Sequence, residues 1–266
     1  MDVHPSSYYE WLHEPLSDRE KEDQALTAKI KQFWLESGGL SGYRNLHEDL
    51  TEARVPCGRD RVLRLMRNAG ISAQRGYKRP KGYYGGKPHV ITANLLERQF
   101  EVEKTNDWWV SDITYIHTLE GFLFLAVVMD LYARNIVGWS MGARITDDLV
   151  LDALTMAYWR RQPPPTLKLH SDQGSQYSSH RCKKLLKTLK ITPSMSRRGN
   201  CHDNAVAESF FANLKKEKIR RRRYRTRADA RLEIFEYIEL FYDPKRRHTH
   251  NGRLAPTVYE QRQLVK

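Results

Sequence analysis

The 266-residue chain has only three cysteines, Cys57, Cys182 and Cys201, and none stands in a C-x-x-C pair. Scattered thiols in odd number build neither a disulfide framework nor a zinc knuckle, so we read all three as reduced. Its ten histidines show no zinc-ligand spacing. No run of about 18 apolar residues occurs, which excludes a bilayer-spanning helix and a membrane partner. The opening MDVHPSSYYEWLHEP lacks the basic start and apolar stretch of a secretory signal, so a cytoplasmic protein is expected. No Ser-His-Asp or Cys-His arrangement supplies a covalent nucleophile. Low-complexity segments and internal repeats are missing too, apart from a basic run near 215–227.

What the chain does have is positive charge in one place. Residues 180–253 hold 21 Lys and Arg against 8 Asp and Glu, while the remainder carries 24 of each sign. The whole net charge of +13 therefore sits in one quarter of the chain. Such a concentration points to a polyanionic partner, of which nucleic acid is the commonest. A solvated basic face is the bland alternative.

Residues 1–75 read as helical. Ser17 to Glu20 has the form of a capping box, followed by Leu26, Ile30, Phe33 and Trp34 at helical spacing. Gly38 and Gly39 end that helix. Helices are also expected over 43–53, with Leu46 and Leu50 inward, and over 58–70, with Val62, Leu65 and Met66 inward. Arg61 and Arg64 share another face of the last one. Three short helices with a basic third fit a helix-turn-helix-like DNA reader, although a small bundle with solvated arginines would read similarly. Residues 76–104 form a basic linker containing YKRPKGYYGGKP, able to lie along DNA or to act as a spacer.

From 105 the periodicity changes. Strands are expected at 108–116, 122–130, 135–141, 166–172 and 191–195, with helices at 149–161, 179–189 and 204–218. A meander followed by alternating helices and strands gives an α/β fold, a mixed sheet with flanking helices of ribonuclease H-like order. This core spans 105–220. A basic helical extension follows over 221–266, opened by a cap at Thr226 to Asp229, with Leu232, Phe235, Ile238 and Phe241 or Tyr242 inward. We assign its tail, 242–256, only backbone or DNA contacts.

Three carboxylates stand out. Asp112 interrupts an apolar, aromatic strand, where a charge is costly unless compensated. Asp172 lies where a strand ends and the turn Gln173-Gly174-Ser175 begins, the usual place for a site in an open sheet. Glu208 lies on a helix with Asn204, Phe211 and Lys215 on a common face, while Val206, Phe210 and Leu214 form an apolar stripe elsewhere. Carboxylates without histidine or thiolate suit Mg²⁺, or Mn²⁺ in its place. Two such ions would serve phosphodiester chemistry. Asp130 is read as structural.

The strand WWVSDITYI, the motif HSDQGSQY, the 35 residues between Asp172 and Glu208, and Lys215 seven positions later resemble the retroviral integrase-like transposases. GNCHDNAVAESFFANLKKE and DLYARNIVGWSM resemble one group of them, bacterial insertion-sequence transposases encoded in two overlapping reading frames. SGYRNLHEDLTEARVPCGRDRVLRLMRNAGI is similar to the helix-turn-helix region of the second frame's product. The resemblance implies a DDE-type polynucleotidyl transferase that cleaves at the 3′ ends of its element and transfers strands. Asp112, Asp172 and Glu208 would be catalytic and hold two Mg²⁺ ions. Lys215 would contact transposon-end DNA. His170 and Asn204 are expected to support the ligands. Lys216, Lys218, Arg220, Arg221, Arg222 and Arg223, with Arg61 and Arg64, would pair with phosphates. Implied partners are terminal inverted repeats, target DNA, further copies of the chain on DNA, and an upstream-frame protein, either as a separate chain or joined by frameshift fusion; the location would be nucleoid-associated. A nuclease without strand transfer and a non-catalytic end-binding repressor are the alternative readings.

Overall fold

The computed structural model describes residues 16–74, 94–96, 100–196 and 204–264, together with His4, Ser6, Tyr9, Leu12 and His13. Of the expected linker, 76–104, residues 76–93 and 97–99 lie outside the described residues. The chain divides into two units, Met1–Arg75 and Gly76–Lys266. Among the described residues no helix is long and apolar enough to cross a membrane.

The first unit is all-helical: α1 (Asp18–Glu36), α2 (Tyr43–Glu52) and α3 (Arg59–Asn68). Ser17 caps α1 through its side chain while the Glu20 carboxylate accepts the Ser17 N–H at 2.8 Å, so two of the orphan donors at the helix start are satisfied. Gly38 and Gly39, at φ of 65° and 77°, turn the chain out of α1 in a conformation that glycine adopts without strain. Leu26 and Ile30 meet Leu46, Leu50, Val62, Leu65 and Met66 in a single small core.

The second unit is built on five strands: β1 (Trp108–Thr118), β2 (Gly121–Asp130), β3 (Ile136–Gly142), β4 (Lys168–Ser171) and β5 (Thr192–Met195). Their spatial order is β3-β2-β1-β4-β5. The first three pair antiparallel, and β4 and β5 run parallel to β1. Helices α4 (Asp147–Arg161), α5 (Ser175–Ser178), α6 (His180–Thr188), α7 (Ala205–Glu217), α8 (Arg227–Phe235) and α9 (Pro256–Leu264) flank it. This is the mixed, ribonuclease H-like sheet that the strand pattern implies.

Alternation along β1 divides the core in two. Trp108, Val110 and Ile116 face Phe210, Phe211 and Leu214 of α7 and Tyr237 and Ile238 beyond α8. Trp109 faces the other way, with Ala126, Val128 and the buried residues of α4 and α6. Asp112 has the parity of the α7 face. The buried face of α7 is wider than the expected stripe, since Ala207 and Phe211 are buried with Phe210 and Leu214. Phe211 therefore belongs to the core and not to the face of Glu208.

One inward set differs from expectation. Leu232 is 60% exposed and Phe235 40%, whereas Ala230, Ile234, Tyr237, Ile238 and Tyr242 are buried. The helix widens to a π-helical stretch over Glu236–Tyr242, so no single helical period carries the apolar stripe along its whole length. Asp130 is wholly buried and structural: it accepts from Thr105 Oγ1 at 2.9 Å and from the N–H groups of Asn106 and Tyr132 at 2.7 and 2.9 Å. Arg161 lies between Asp130 and Glu260, tying α4 to α9.

Candidate active site

The parallel register of β1 and β4 pairs Val110 with His170 and Ser111 with Ser171. Asp112 and Asp172 are each the next residue, so the register itself brings two carboxylates side by side where β4 stops and the chain turns away. Ile113 donates its N–H to Asp112 Oδ1 at 2.7 Å, and Gly174 donates to Asp172 Oδ1 at 2.9 Å. A Cβ at position 174 would come within 2.9 Å of that oxygen, so the glycine leaves room for the turn.

Glu208 projects from the first turn of α7, exposed, while its neighbour Ala207 is buried against the sheet. Its field reaches Asp112. Burial, with the charges of Asp172 and Glu208, pushes Asp112 up to about 8, and only the Ile113 N–H and the Lys215 charge pull the other way. Burial raises Asp172 as well. Crowded carboxylates with raised pKa values call for a cation. Their donors are oxygen only, which fits a hard divalent ion. Among the described residues no three His, Cys, Asp or Glu side chains come close enough to hold an ion together.

His170, fully buried, sets Nδ1 2.9 Å from Ser194 Oγ and so fastens β4 to β5 behind Asp172. Asn204 is the N-cap residue of α7; it is buried, and its Nδ2 lies 3.4 Å from the Ser111 carbonyl oxygen. Asn204 Oδ1 is buried and has no hydrogen-bond partner among the described residues. The Lys215 ammonium stands over the Tyr115 ring, 5.0 Å from its centroid.

The basic run is partly engaged within the protein. Arg222 and Lys218 both pair with Glu233, and Arg221 donates to the Glu217 carbonyl at 3.3 Å. Lys216, Arg220 and Arg223 are exposed. In the helical unit, Arg61 Nε and Arg64 Nη2 hold the Asp23 carboxylate at 2.8 and 2.7 Å, and Arg61 also reaches Glu22. Both arginines thus clamp α3 to α1.

Two groups of residues escaped the sequence reading. Ser111 and Tyr177 meet beneath the aspartates with oxygens 2.7 Å apart. Their signal was position alone: Ser111 precedes Asp112, and Tyr177 closes the HSDQGSQY motif. The tail over 242–256 is no mere backbone or DNA contact, since Tyr242, Asn251 and Ala255 are buried in it and Arg246 binds Glu217 at the end of α7.

Comparison with known proteins gives this geometry a family. Residues 102–201 and 208–264 match two models each described as an integrase core domain, and residues 21–79 match an HTH-like domain. The chain is 38% identical to the transposase for insertion sequence element IS904 of Lactococcus lactis, covering 94% of this chain and 99% of that one. It is 37% identical to a 31 kDa protein of insertion element IS600 from Shigella sonnei, over 98% and 96%, and 36% identical to transposase InsF for IS3A of Escherichia coli, over 100% and 93%. Among solved structures, a chain of the simian T-cell lymphotropic virus intasome matches 71% of this chain and 58% of its own at 18% identity and a TM-score of 0.39. With relatives of such identity matched along nearly their whole length, the chain belongs to the insertion-sequence transposases.

Proposed function

We propose that this transposase cleaves DNA at the 3′ ends of its insertion sequence and transfers the freed strands, with Asp112, Asp172 and Glu208 as the catalytic carboxylates. The observation that carries the reading is the register that sets Asp112 beside Asp172, where burial and the Asp172 charge, with a smaller push from Glu208, raise the Asp112 pKa to about 8. The three side chains would hold two Mg²⁺ ions, with Mn²⁺ able to substitute. When bound, such ions activate an attacking oxygen and stabilise a leaving one. The protein's own part is to fix the ligands and to position DNA. Lys215, one helix face along from Glu208, would bind a phosphate near the cleaved bond. Lys216, Arg220 and Arg223 would extend that contact, with Lys218, Arg221 and Arg222 joining where DNA competes with their internal partners. The helical unit would bind the terminal inverted repeats, with Arg61 and Arg64 shaping its reading helix. Two element ends imply more than one copy of the chain, and an upstream-frame protein is the proposed further partner.

The test uses purified protein, Mg²⁺ and a labelled duplex bearing one terminal repeat. Wild type should yield nicked and joined products, and Glu208→Gln and Asp112→Asn neither. Full activity in Glu208→Gln overturns the triad. Nicking without joining favours a plain nuclease. Inert wild type is repeated as the frameshift fusion, and an inert fusion overturns the reading.

A further inference from the structure

Ser111 touches all three carboxylate-bearing segments. It precedes Asp112 in β1 and is wholly buried. Its hydroxyl proton goes to the Val127 carbonyl at 2.8 Å. A serine hydroxyl has one proton, so the short contact to Tyr177 must run the other way, with the Tyr177 O–H donating to Ser111 Oγ at 2.7 Å. Tyr177 sits in α5, five residues after Asp172, and is 2% exposed. On the backbone side, the Ser111 carbonyl accepts from Asn204 Nδ2 at 3.4 Å. Asn204 opens α7 one turn before Glu208.

We infer that Ser111, with Tyr177 and Asn204, forms a positioning device that ties together the segments bearing Asp112, Asp172 and Glu208 and so limits how far the three carboxylates can part. The inference rests on the metal-binding role proposed for those three carboxylates. β1 is the central strand, whereas Asp172 lies on the turn after a four-residue strand and Glu208 on a helix capped by Asn204. Left to themselves, the two latter segments would respond to the mutual repulsion of the carboxylates by moving apart. Hydrogen bonds from both segments to one residue of β1 oppose that movement at its source. Burial raises the Tyr177 phenol above its ordinary range, so it stands as a donor here. None of the three touches a reacting atom, so they act through the ligands. Partners that orient metal ligands typically alter metal affinity about 10- to 100-fold when removed.

The experiment measures Mn²⁺ binding by the full chain without DNA, following free Mn²⁺ by electron paramagnetic resonance. Thermal unfolding without metal and binding of a terminal-repeat duplex in Ca²⁺ are recorded beside it. Tyr177→Phe deletes one oxygen and keeps the ring; Ser111→Ala removes the acceptor. Each variant should weaken Mn²⁺ binding about tenfold. DNA affinity should stay within about twofold, and the double variant should be no weaker than the poorer single one. Rescue of strand cleavage at raised Mg²⁺ would support the same role. Wild-type Mn²⁺ affinity in Tyr177→Phe overturns the inference, as does a loss confined to thermal stability. Asp112→Asn separates the two levels. If it lowers Mn²⁺ binding and Tyr177→Phe does not, only the positioning role falls. If Asp112→Asn binds Mn²⁺ like wild type, the metal site itself is wrong, and the positioning role falls with it.

Discussion

Arg246 grips Glu217 with two prongs of its guanidinium, Nη2 to Oε1 at 2.7 Å and Nε to Oε2 at 2.9 Å. Tyr237 adds its hydroxyl to the same carboxylate at 2.7 Å. Both charged side chains are shielded, at 19% and 15% exposure. Glu217 is the last residue of α7, so the closing segment of the chain anchors the far end of the helix that carries Glu208. Removing the arginine would leave a carboxylate and a phenol facing each other in a mostly dry place. Arg246→Ala should therefore lose about 3 kcal/mol, the usual penalty for breaking one side of a buried pair. Arg246→Lys keeps the charge without the fork and should lose less. Urea unfolding followed by tryptophan fluorescence checks both, and an unchanged Arg246→Ala midpoint would refute the anchor.

Gly138 sets how closely β3 and α4 approach. A Cβ there would lie 2.3 Å from the Ala153 carbonyl oxygen and 2.7 Å from the Ala157 Cβ. Neither is the tip of a flexible side chain, so strand and helix would have to separate. Gly138→Ala is expected to destabilise the catalytic unit by at least the ~1–3 kcal/mol typical of overpacking. Thermal unfolding decides it: a melting temperature equal to wild type would mean that the two elements slide apart freely.

Local signals explain what could be read ahead of the structure. The capping residues Ser17 and Thr226 announced their helices, because a cap is a short-range hydrogen bond between residues three apart. Apolar, aromatic runs placed β1 and β2, and Asp112 stood out as a charge inside the first of them. What stayed hidden depends on distant pairings. Arg246 looked like one more basic residue of a DNA-facing tail, and nothing within ten positions of it names Glu217 as its partner. Arg61 and Arg64 looked free for DNA until α1 brought Asp23 to them. Leu232 and Phe235 were misplaced because a π-helical stretch adjoins them, and a uniform period cannot anticipate it.

His248 gives the fold an acid limit. Burial, with the nearby charges of Arg246, Arg134 and His250, lowers its pKa to about 3. Its ring stands edge-on to Tyr242 at 4.8 Å, and Arg246 Nη1 lies 3.4 Å from Nε2, a contact that requires neutral imidazole. In the unfolded chain an ordinary histidine takes its proton near pH 6.5. Below that pH the unfolded state binds a proton that the folded state refuses, so stability falls as pH drops from about 6.5 towards 3. His248→Gln, which cannot titrate, should flatten this part of the stability–pH curve. Identical slopes for variant and wild type between pH 6.5 and 4 would rule His248 out as the cause.

The salt dependence of DNA binding should sort the basic residues by how each is held. Every phosphate neutralised contributes about 0.9 to the slope of log affinity against log salt on duplex DNA. Lys216 and Arg223 are exposed, and no ion pair is seen for either among the described residues. Lys216→Ala and Arg223→Ala should each reduce the slope by about one on a terminal-repeat duplex. Arg222 already pairs with Glu233, so its removal should change the slope less, and Glu233→Gln should strengthen binding by releasing both Arg222 and Lys218. Arg61→Ala tests the other extreme. Its guanidinium is bound to Asp23 and Glu22, so its loss should loosen the helical unit and leave the slope alone. Titrations between about 50 and 200 mM salt span the range where these differences are readable. If Arg61→Ala lowers the slope as much as Arg223→Ala, the arginine leaves Asp23 for phosphate on binding, and the α1–α3 clamp is only the DNA-free arrangement.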